Sequence, residues 1–392
     1  MAFDLSAIQR ALREDGLDGW LLYDFHGSNP IARRVAGLGG SGKLTTRRWY
    51  YLVPASGEPR ALVHGIERHS LAHLPGSRRI YAGRNELEAG LDSLVQGMRR
   101  IAMEYSPNCA IPYVSRVDAG TVERIRSLGA EVVSSGDLVQ RFEAVWDDEA
   151  LASHRVASRH LHNIKDRTFE LIADRVGGGS LTEYAVQQVM TEWFADAGLV
   201  TDCPPVVAAQ ESSGNPHYLP TAEAHRPIER GQVVLLDLWG KIDRPGAVYA
   251  DITWVGFTGS QVPPRAAAIF GAAREARDAA VSLVAERVHA GRPISGWEVD
   301  RAARDVIDAA GYGDRFMHRT GHSLGEEVHG NGVHMDDYET HDERRLIAGT
   351  GFTIEPGVYL DDFGVRTEIN VYVDDADAAV TGPRQAEIVP LA

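Results

Sequence analysis

Four acids stand where an apolar strand would be expected to continue. Asp237 interrupts Val233-Val234-Leu235-Leu236-Asp237-Leu238-Trp239. Asp251 lies in the run from Val248 to Phe257, Glu355 in the run from Phe352 to Leu360, and Glu368 in the run from Val365 to Asp374. Burying an isolated carboxylate costs several kcal/mol unless it is paired or holds a metal. Any one of the four is explained by an edge strand, a salt bridge or a structural hydrogen bond. If all four converge, they repel one another and their pKa values rise unless cations neutralise them. Spacing alone does not establish that convergence.

A histidine segment supplies another ligand type: His318-Arg319-Thr320-Gly321-His322-Ser323-Leu324-Gly325-Glu326-Glu327-Val328-His329. Gly321 and Gly325 let the backbone bend sharply around His322. A lone histidine is more often structural than catalytic. Three of them flanked by glycines point to a site. Carboxylate oxygens with one imidazole suit manganese, cobalt, iron or zinc.

These residues resemble the pita-bread metallopeptidase family of methionine aminopeptidases, Xaa-Pro aminopeptidases and Xaa-Pro dipeptidases (prolidases). The family's ligands run in the order Asp, Asp, His, Glu, Glu. They match Asp237 in LLDLWG, Asp251 in YADITW, His322 in TGHSLG, Glu355 in TIEPGVY and Glu368 in VRTEINV. The resemblance implies two divalent cations, Mn2+ first among them, with Co2+ or Zn2+ also suited. It implies that Asp251 and Glu368 bridge the pair, that Asp237 completes one shell, and that His322 and Glu355 complete the other. Glu355 would also act as general base. His329 matches a histidine at the scissile carbonyl, and His217 and His318 match histidines that position the substrate. Arg366 and Tyr359 match substrate-binding positions. Arg366 is suited to the carboxylate of a product proline, because its planar fork binds carboxylates bidentately.

Some positions depart from the family pattern. Leu238-Trp239-Gly240 follows Asp237 where a small residue and glycine are more usual, and Trp254 stands where an arginine often follows Asp-Ile-Thr. Ile369-Asn370 follows Glu368 in place of another acid. These bear on substrate preference more than on chemistry. The expected function is hydrolysis of the Xaa-Pro bond in dipeptides, with an Xaa-Pro aminopeptidase acting on longer peptides as the alternative. A metal-free creatinase-like hydrolase or a non-enzymatic peptide-binding module lacks such a ligand set.

The elements that must position these residues fall into two parts. The expected fold class is α+β: a creatinase-type α/β domain over residues 1–145, then a pita-bread catalytic domain over 146–392. In the first part, helical patterns at Leu5 to Asp15, Gly90 to Arg100 and Ala119 to Leu128 alternate with strands at Gly19 to Tyr23, Trp49 to Pro54, Arg60 to His64, Ile101 to Tyr105 and Glu131 to Val133. A long helix over Asp148 to Val176 links the parts. Ser180-Leu181-Thr182-Glu183 and Ser295-Gly296-Trp297-Glu298 read as capping boxes, and Pro263-Pro264 opens a helix closed by Gly291.

The bulk properties exclude several classes. The 392 residues carry 40 Lys and Arg against 55 Asp and Glu, a net charge of −15. Such a surface repels phosphate backbones and anionic membranes, so no nucleic-acid or membrane partner is expected. Cys109 and Cys203 are too few for a disulfide framework or a zinc ribbon. The opening residues Met1-Ala2-Phe3-Asp4-Leu5 lack the basic and apolar regions of a secretory signal. A cytoplasmic homodimer acting on small peptides is the expectation.

Overall fold

The structure is a computed structural model that describes residues 3–39 and 45–392; residues 1–2, at the head of the segment read for a secretory signal, and 40–44 lie outside it. The chain forms two compact units, Met1–Glu143 and Ala144–Ala392.

The N-terminal unit is an α/β layer. Its strands are β1 (Gly19–Asp24), β2 (Trp49–Pro54), β3 (Arg60–His64), β4 (Ser77–Tyr81), β5 (Arg100–Met103) and β6 (Glu131–Ser134), in the order β4-β3-β2-β1-β5-β6. Only β2 runs against the others. Trp20 and Leu22 of β1 pack with helices α1 (Leu5–Glu14) and α2 (Pro30–Val35). Leu21 and Tyr23 pack on the other face, with α3 (Arg84–Val95) and α4 (Ala119–Ser127). Helices on both faces explain why the run from Trp20 to Tyr23 is apolar throughout. The helix expected over Gly90 to Arg100 lies further upstream. Glu86 accepts the Ala82 and Gly83 amides at its start. Gly90 is interior, because a Cβ there would stand 2.6 Å from Leu62 Cδ1.

Glu104 is fully buried behind β1. Trp20 Nε1 donates to it at 2.6 Å, Asn29 Nδ2 at 2.7 Å and Ser135 Oγ at 3.1 Å. Burial nevertheless pushes its carboxyl up to about 7. In the unfolded chain it ionises near its ordinary 4.5. Its contribution to stability is therefore complete below 4.5 and is lost as pH rises through about 7, by about 3 kcal/mol. Urea unfolding between pH 5 and 8 checks this: Glu104→Gln should lack that part of the pH slope, and an unchanged slope would remove Glu104 as its source.

The short α5 (Gly136–Val139) ends the helices of the N-terminal unit, and the C-terminal unit opens with the long α6 (Asp148–Arg175), followed by α7 (Glu183–Asp196). Its strands are β7 (Leu199–Val200), β8 (Val206–Ala209), β9 (Val233–Ile242), β10 (Ala250–Phe257), β11 (Ser323–Leu324), β12 (Thr350–Ile354), β13 (Gly357–Tyr359), β14 (Gly364–Arg366), β15 (Ile369–Val373), β16 (Ala378–Val380) and β17 (Val389–Pro390). One sheet has the order β17-β10-β9-β7, with β8 also on β9, and another is β11-β12-β15-β16. Leu236 and Leu238 of β9 pack towards α6 and α7. The opposite face, with Val233 and Leu235, shares a core with β12, β15, α8 (Pro264–His289) and α9 (Gly296–Ala309). Asp237 falls on that inner face by alternation.

Two expectations change here. The cap of α7 is Thr182, whose side chain accepts from Ala185 N at 3.1 Å. Glu183 is buried instead, and accepts the amides of Ala209 and Arg226. The apolar runs around Glu355 and Glu368 are each two strands, broken between β12 and β13 and between β14 and β15. Pro356 has no N–H to continue a ladder, and the break turns Glu355 inward. The Ser295 box forms as read, with Ser295 N donating to Glu298 Oε2 at 2.9 Å.

Candidate active site

Strand register brings the acids together. In the β9–β10 ladder Asp237 lies opposite Thr253 and Asp251 opposite Trp239, so all four share one face. The Glu368 amide donates to Thr253 O at 3.2 Å, and the Glu355 amide to Thr320 O at 2.7 Å. The histidine segment approaches β12 through Gly321, where a Cβ would stand 1.9 Å from Thr353 O. That contact requires glycine. His322 N then donates to Thr353 Oγ1 at 3.0 Å.

The result is one buried group. His322 Nε2 lies 3.5 Å from Asp251 Oδ2 and 3.5 Å from Glu355 Oε1. Thr253 Oγ1 donates to Glu368 Oε2 at 2.7 Å and reaches Asp237 Oδ1 at 3.3 Å. Donor atoms of Asp251, His322 and Glu368 all fall within 4.8 Å of one another. Asp251 Oδ1 and Glu368 Oε1 are buried with no hydrogen-bond partner among the described residues. Two orphaned carboxylate oxygens in a cluster of four acids are what a cation site leaves when its ions are not counted. Hard oxygen donors with one imidazole fit divalent ions.

The electrostatics agree with that fit. Burial, then the charges of Asp237 and Glu355, hold the Asp251 carboxyl well above its ordinary range. Burial and Asp251 do the same to Glu368. Burial raises Asp237 against the pull of Arg366. Burial also takes Glu355 up to about 7, opposed by Arg366 and Arg319. His322 is pushed well below its usual value by burial and by His329. A neutral imidazole is the form that binds metal.

The other predicted residues spread around this group. His329 meets His322 edge-to-face at 4.4 Å; it is an exposed residue whose imidazole is held down to about 4 by burial. His217 is exposed, and its charge acts on His329. His318 Nδ1 bonds the Arg319 carbonyl at 2.7 Å, so Nδ1 carries the proton. Its Nε2 is then the acceptor for Tyr359 OH, at 2.7 Å. Burial, with Arg366 adding to it, holds His318 down to about 3, which keeps it neutral.

Arg366 is almost fully buried, and its partners differ from the expected substrate carboxylate. Nη2 donates to Asp237 Oδ2 at 2.5 Å, Nη1 to Tyr359 OH at 2.9 Å and Nε to Thr253 Oγ1 at 3.0 Å.

Several residues here were not singled out from the sequence. Thr253 and Thr353 fasten the acids and His322. Asn370 Oδ1 accepts from the Asp251 amide at 3.0 Å, and its Nδ2 donates to Asp251 O. Asp202, exposed, accepts from Trp239 Nε1 at 2.6 Å, and its charge reaches both Asp251 and His329. The odd residue Trp239 was the available signal for Asp202.

Comparison with known proteins identifies the family. Residues 152–375 match metallopeptidase family M24. The putative dipeptidase YkvY of Bacillus subtilis is 28% identical over 264 residues, 67% of this chain and 67% of its own length. The Xaa-Pro dipeptidase of Lactobacillus helveticus is 34% identical over 165 residues, 42% of this chain and 40% of its own. The crystal structure of dipeptidase PepE from Mycobacterium ulcerans shares the fold, with a TM-score of 0.72 at 24% identity, covering 99% of this chain and 96% of that one. With more than half of its length matching that family, the chain belongs to metallopeptidase family M24 and is a metallopeptidase.

Proposed function

We propose that the protein hydrolyses the Xaa-Pro bond of dipeptides with two divalent cations held by Asp237, Asp251, His322, Glu355 and Glu368. The observation that carries this reading is the gathering of Asp251, Glu355 and Glu368 around His322, with Asp237 joined to Glu368 through Thr253 and two buried carboxylate oxygens left unpartnered. Relatives named Xaa-Pro dipeptidase support it. The cations, Mn2+ being our first choice, would supply a Lewis acid and lower the pKa of the attacking water.

The chain's own groups do the rest. Glu355, poised near neutrality, accepts the proton of the attacking water. His329 donates an N–H to the carbonyl oxygen as it gains charge. His318 is locked as one tautomer by Arg319 and Tyr359, and with His217 positions the bond. Arg366 first fixes Asp237, Tyr359 and Thr253. Three of its five N–H groups are committed there, so a proline carboxylate would draw on the other two. We read the acidic chain as a cytoplasmic homodimer. Among the described residues no helix is long and apolar enough to cross a membrane.

The test is hydrolysis of Ala-Pro beside Ala-Pro-Ala by metal-stripped enzyme, with and without Mn2+. Restored cleavage of Ala-Pro with a poor tripeptide is the expected result. Preference for the tripeptide would make the protein an Xaa-Pro aminopeptidase. Cleavage of neither, with any divalent metal, would overturn the reading.

A further inference from the structure

The N-terminal unit contains a cavity of about 700 Å³, a size typical of small-molecule sites. It lies at the carboxyl ends of β1, β3 and β4, where Tyr23, Phe25, His64 and Tyr81 line it, and at the start of β2, which adds Arg47, Arg48 and Tyr50. The crevice beyond the carboxyl ends of a mostly parallel sheet is where α/β folds bind ligands. The first turns of α3 and α4 also reach it, through Gly83, Arg84, Gly120 and Thr121. Both helix starts add positive potential, although each is capped by an acid of its own, Glu86 and Asp118.

Charge in the cavity runs against the rest of the chain. Among the described residues, four arginines, Arg47, Arg48, Arg84 and Arg124, line it, against the single carboxylate of Asp118. Asp118 is engaged by the Thr121 amide and hydroxyl at 2.9 and 2.8 Å. Arg84 lies 3.6 Å from Glu88, and Arg124 donates to Asp92 at 2.8 Å, both on the surface. Among the described residues, the Arg47 guanidinium hydrogen-bonds only its neighbour Thr46. The Arg48 guanidinium has no hydrogen bond or ion pair with any described residue.

The strongest single observation is Tyr50. It is 2% exposed, its ring meets Tyr23 at 4.9 Å, and it lines the cavity. Its hydroxyl has no hydrogen-bond partner among the described residues. Its neighbours Tyr81 and Tyr51 both donate to carbonyls, of Arg48 and Pro75. A hydroxyl free of partners among the described residues, on a side chain that lines a cavity, is available to a ligand.

We propose that this cavity binds a small molecule carrying a phosphate on an aromatic ring system, of the nucleoside-phosphate class. Arg48, with the other guanidiniums around it, and the Tyr50 hydroxyl take the phosphate; Phe25, His64 and Tyr81 flank the ring. Guanidinium forks suit phosphate oxygens, and the aromatic lining suits a planar base.

Titration calorimetry on the full chain tests it, with AMP, adenosine and inorganic phosphate as probes. AMP should bind one per chain, tighter than about 1 mM and at least about tenfold tighter than adenosine. Tyr50→Phe and Arg48→Gln should each weaken AMP by about tenfold or more, since each removes a bond to a charged group. Melting temperature and Ala-Pro hydrolysis should stay as in the parent, because neither residue belongs to the metal site. AMP binding no tighter than adenosine, or unchanged in both variants, overturns the proposal.

Discussion

Asp251→Asn should lose stoichiometric metal and reduce kcat/KM for an Xaa-Pro dipeptide by about 10⁴-fold, or about 5.5 kcal/mol. The same change should make the metal-free protein more stable. Without cations, Asp251 is a buried acid facing Asp237, Glu355 and Glu368, which is why its carboxyl sits well above the ordinary range. An amide of the same shape removes that repulsion. A gain of 1 kcal/mol in such a unit corresponds to about 2–4 °C in melting temperature. The sign follows from linkage. A carboxyl raised in the fold contributes fully below its unfolded pKa of 3.8, and that contribution is lost as pH rises. The stability gap between the variant and the metal-free parent should therefore widen from pH 5 to pH 8. Adding Mn2+ should reverse the order, because ions that bind only the folded parent stabilise it by mass action. Calorimetric melting with and without chelator measures all three states. A variant that keeps its metal, or that melts below the metal-free parent at pH 8, would show that Asp251 is a structural acid.

The acids were legible because four of them break apolar runs, where a single one would have had an ordinary structural explanation. His322 was legible through the three histidines of its segment and the glycines beside it; the structure adds the reason for Gly321, whose contact with Thr353 O admits no side chain. Other features depend on register and were not readable. Thr253 lies opposite Asp237 only because β9 and β10 pair in one particular alignment. Trp239 stood out in the sequence, but that its indole would reach Asp202, 37 residues away in the chain, did not. Gly90 read as a helix boundary, yet it sits inside α3 because β3 passes too close for a side chain. Ser180 and Glu183 had capping-box spacing, but Glu183 is worth more to the fold as a buried acceptor for Ala209, Arg226 and Tyr218. In each case a long-range contact overrode a local signal.

Arg366 joins the two halves of the site, and its replacement should separate metal binding from substrate positioning. One guanidinium bonds Asp237, Thr253 and Tyr359, and Tyr359 in turn donates to His318. A lysine keeps the charge but has no fork, so it cannot hold those partners in one plane. Arg366→Lys should therefore weaken metal binding by about 10–100-fold, the usual cost of losing a group that orients a ligand. Activity at saturating metal should fall as well, because His318 loses the partner that fixes Tyr359. Tyr359→Phe cuts the chain one link later. It should leave metal affinity unchanged and lower kcat/KM by about tenfold, the value of one hydrogen bond. Metal titration of both variants beside Ala-Pro kinetics distinguishes the roles. If Arg366→Lys binds metal as the parent does and loses only its preference for peptides with a free proline carboxylate, the arginine serves the substrate directly. The short bond to Asp237 argues for the opposite outcome: a guanidinium already sharing a buried carboxylate must give up that pair before it can turn wholly to another.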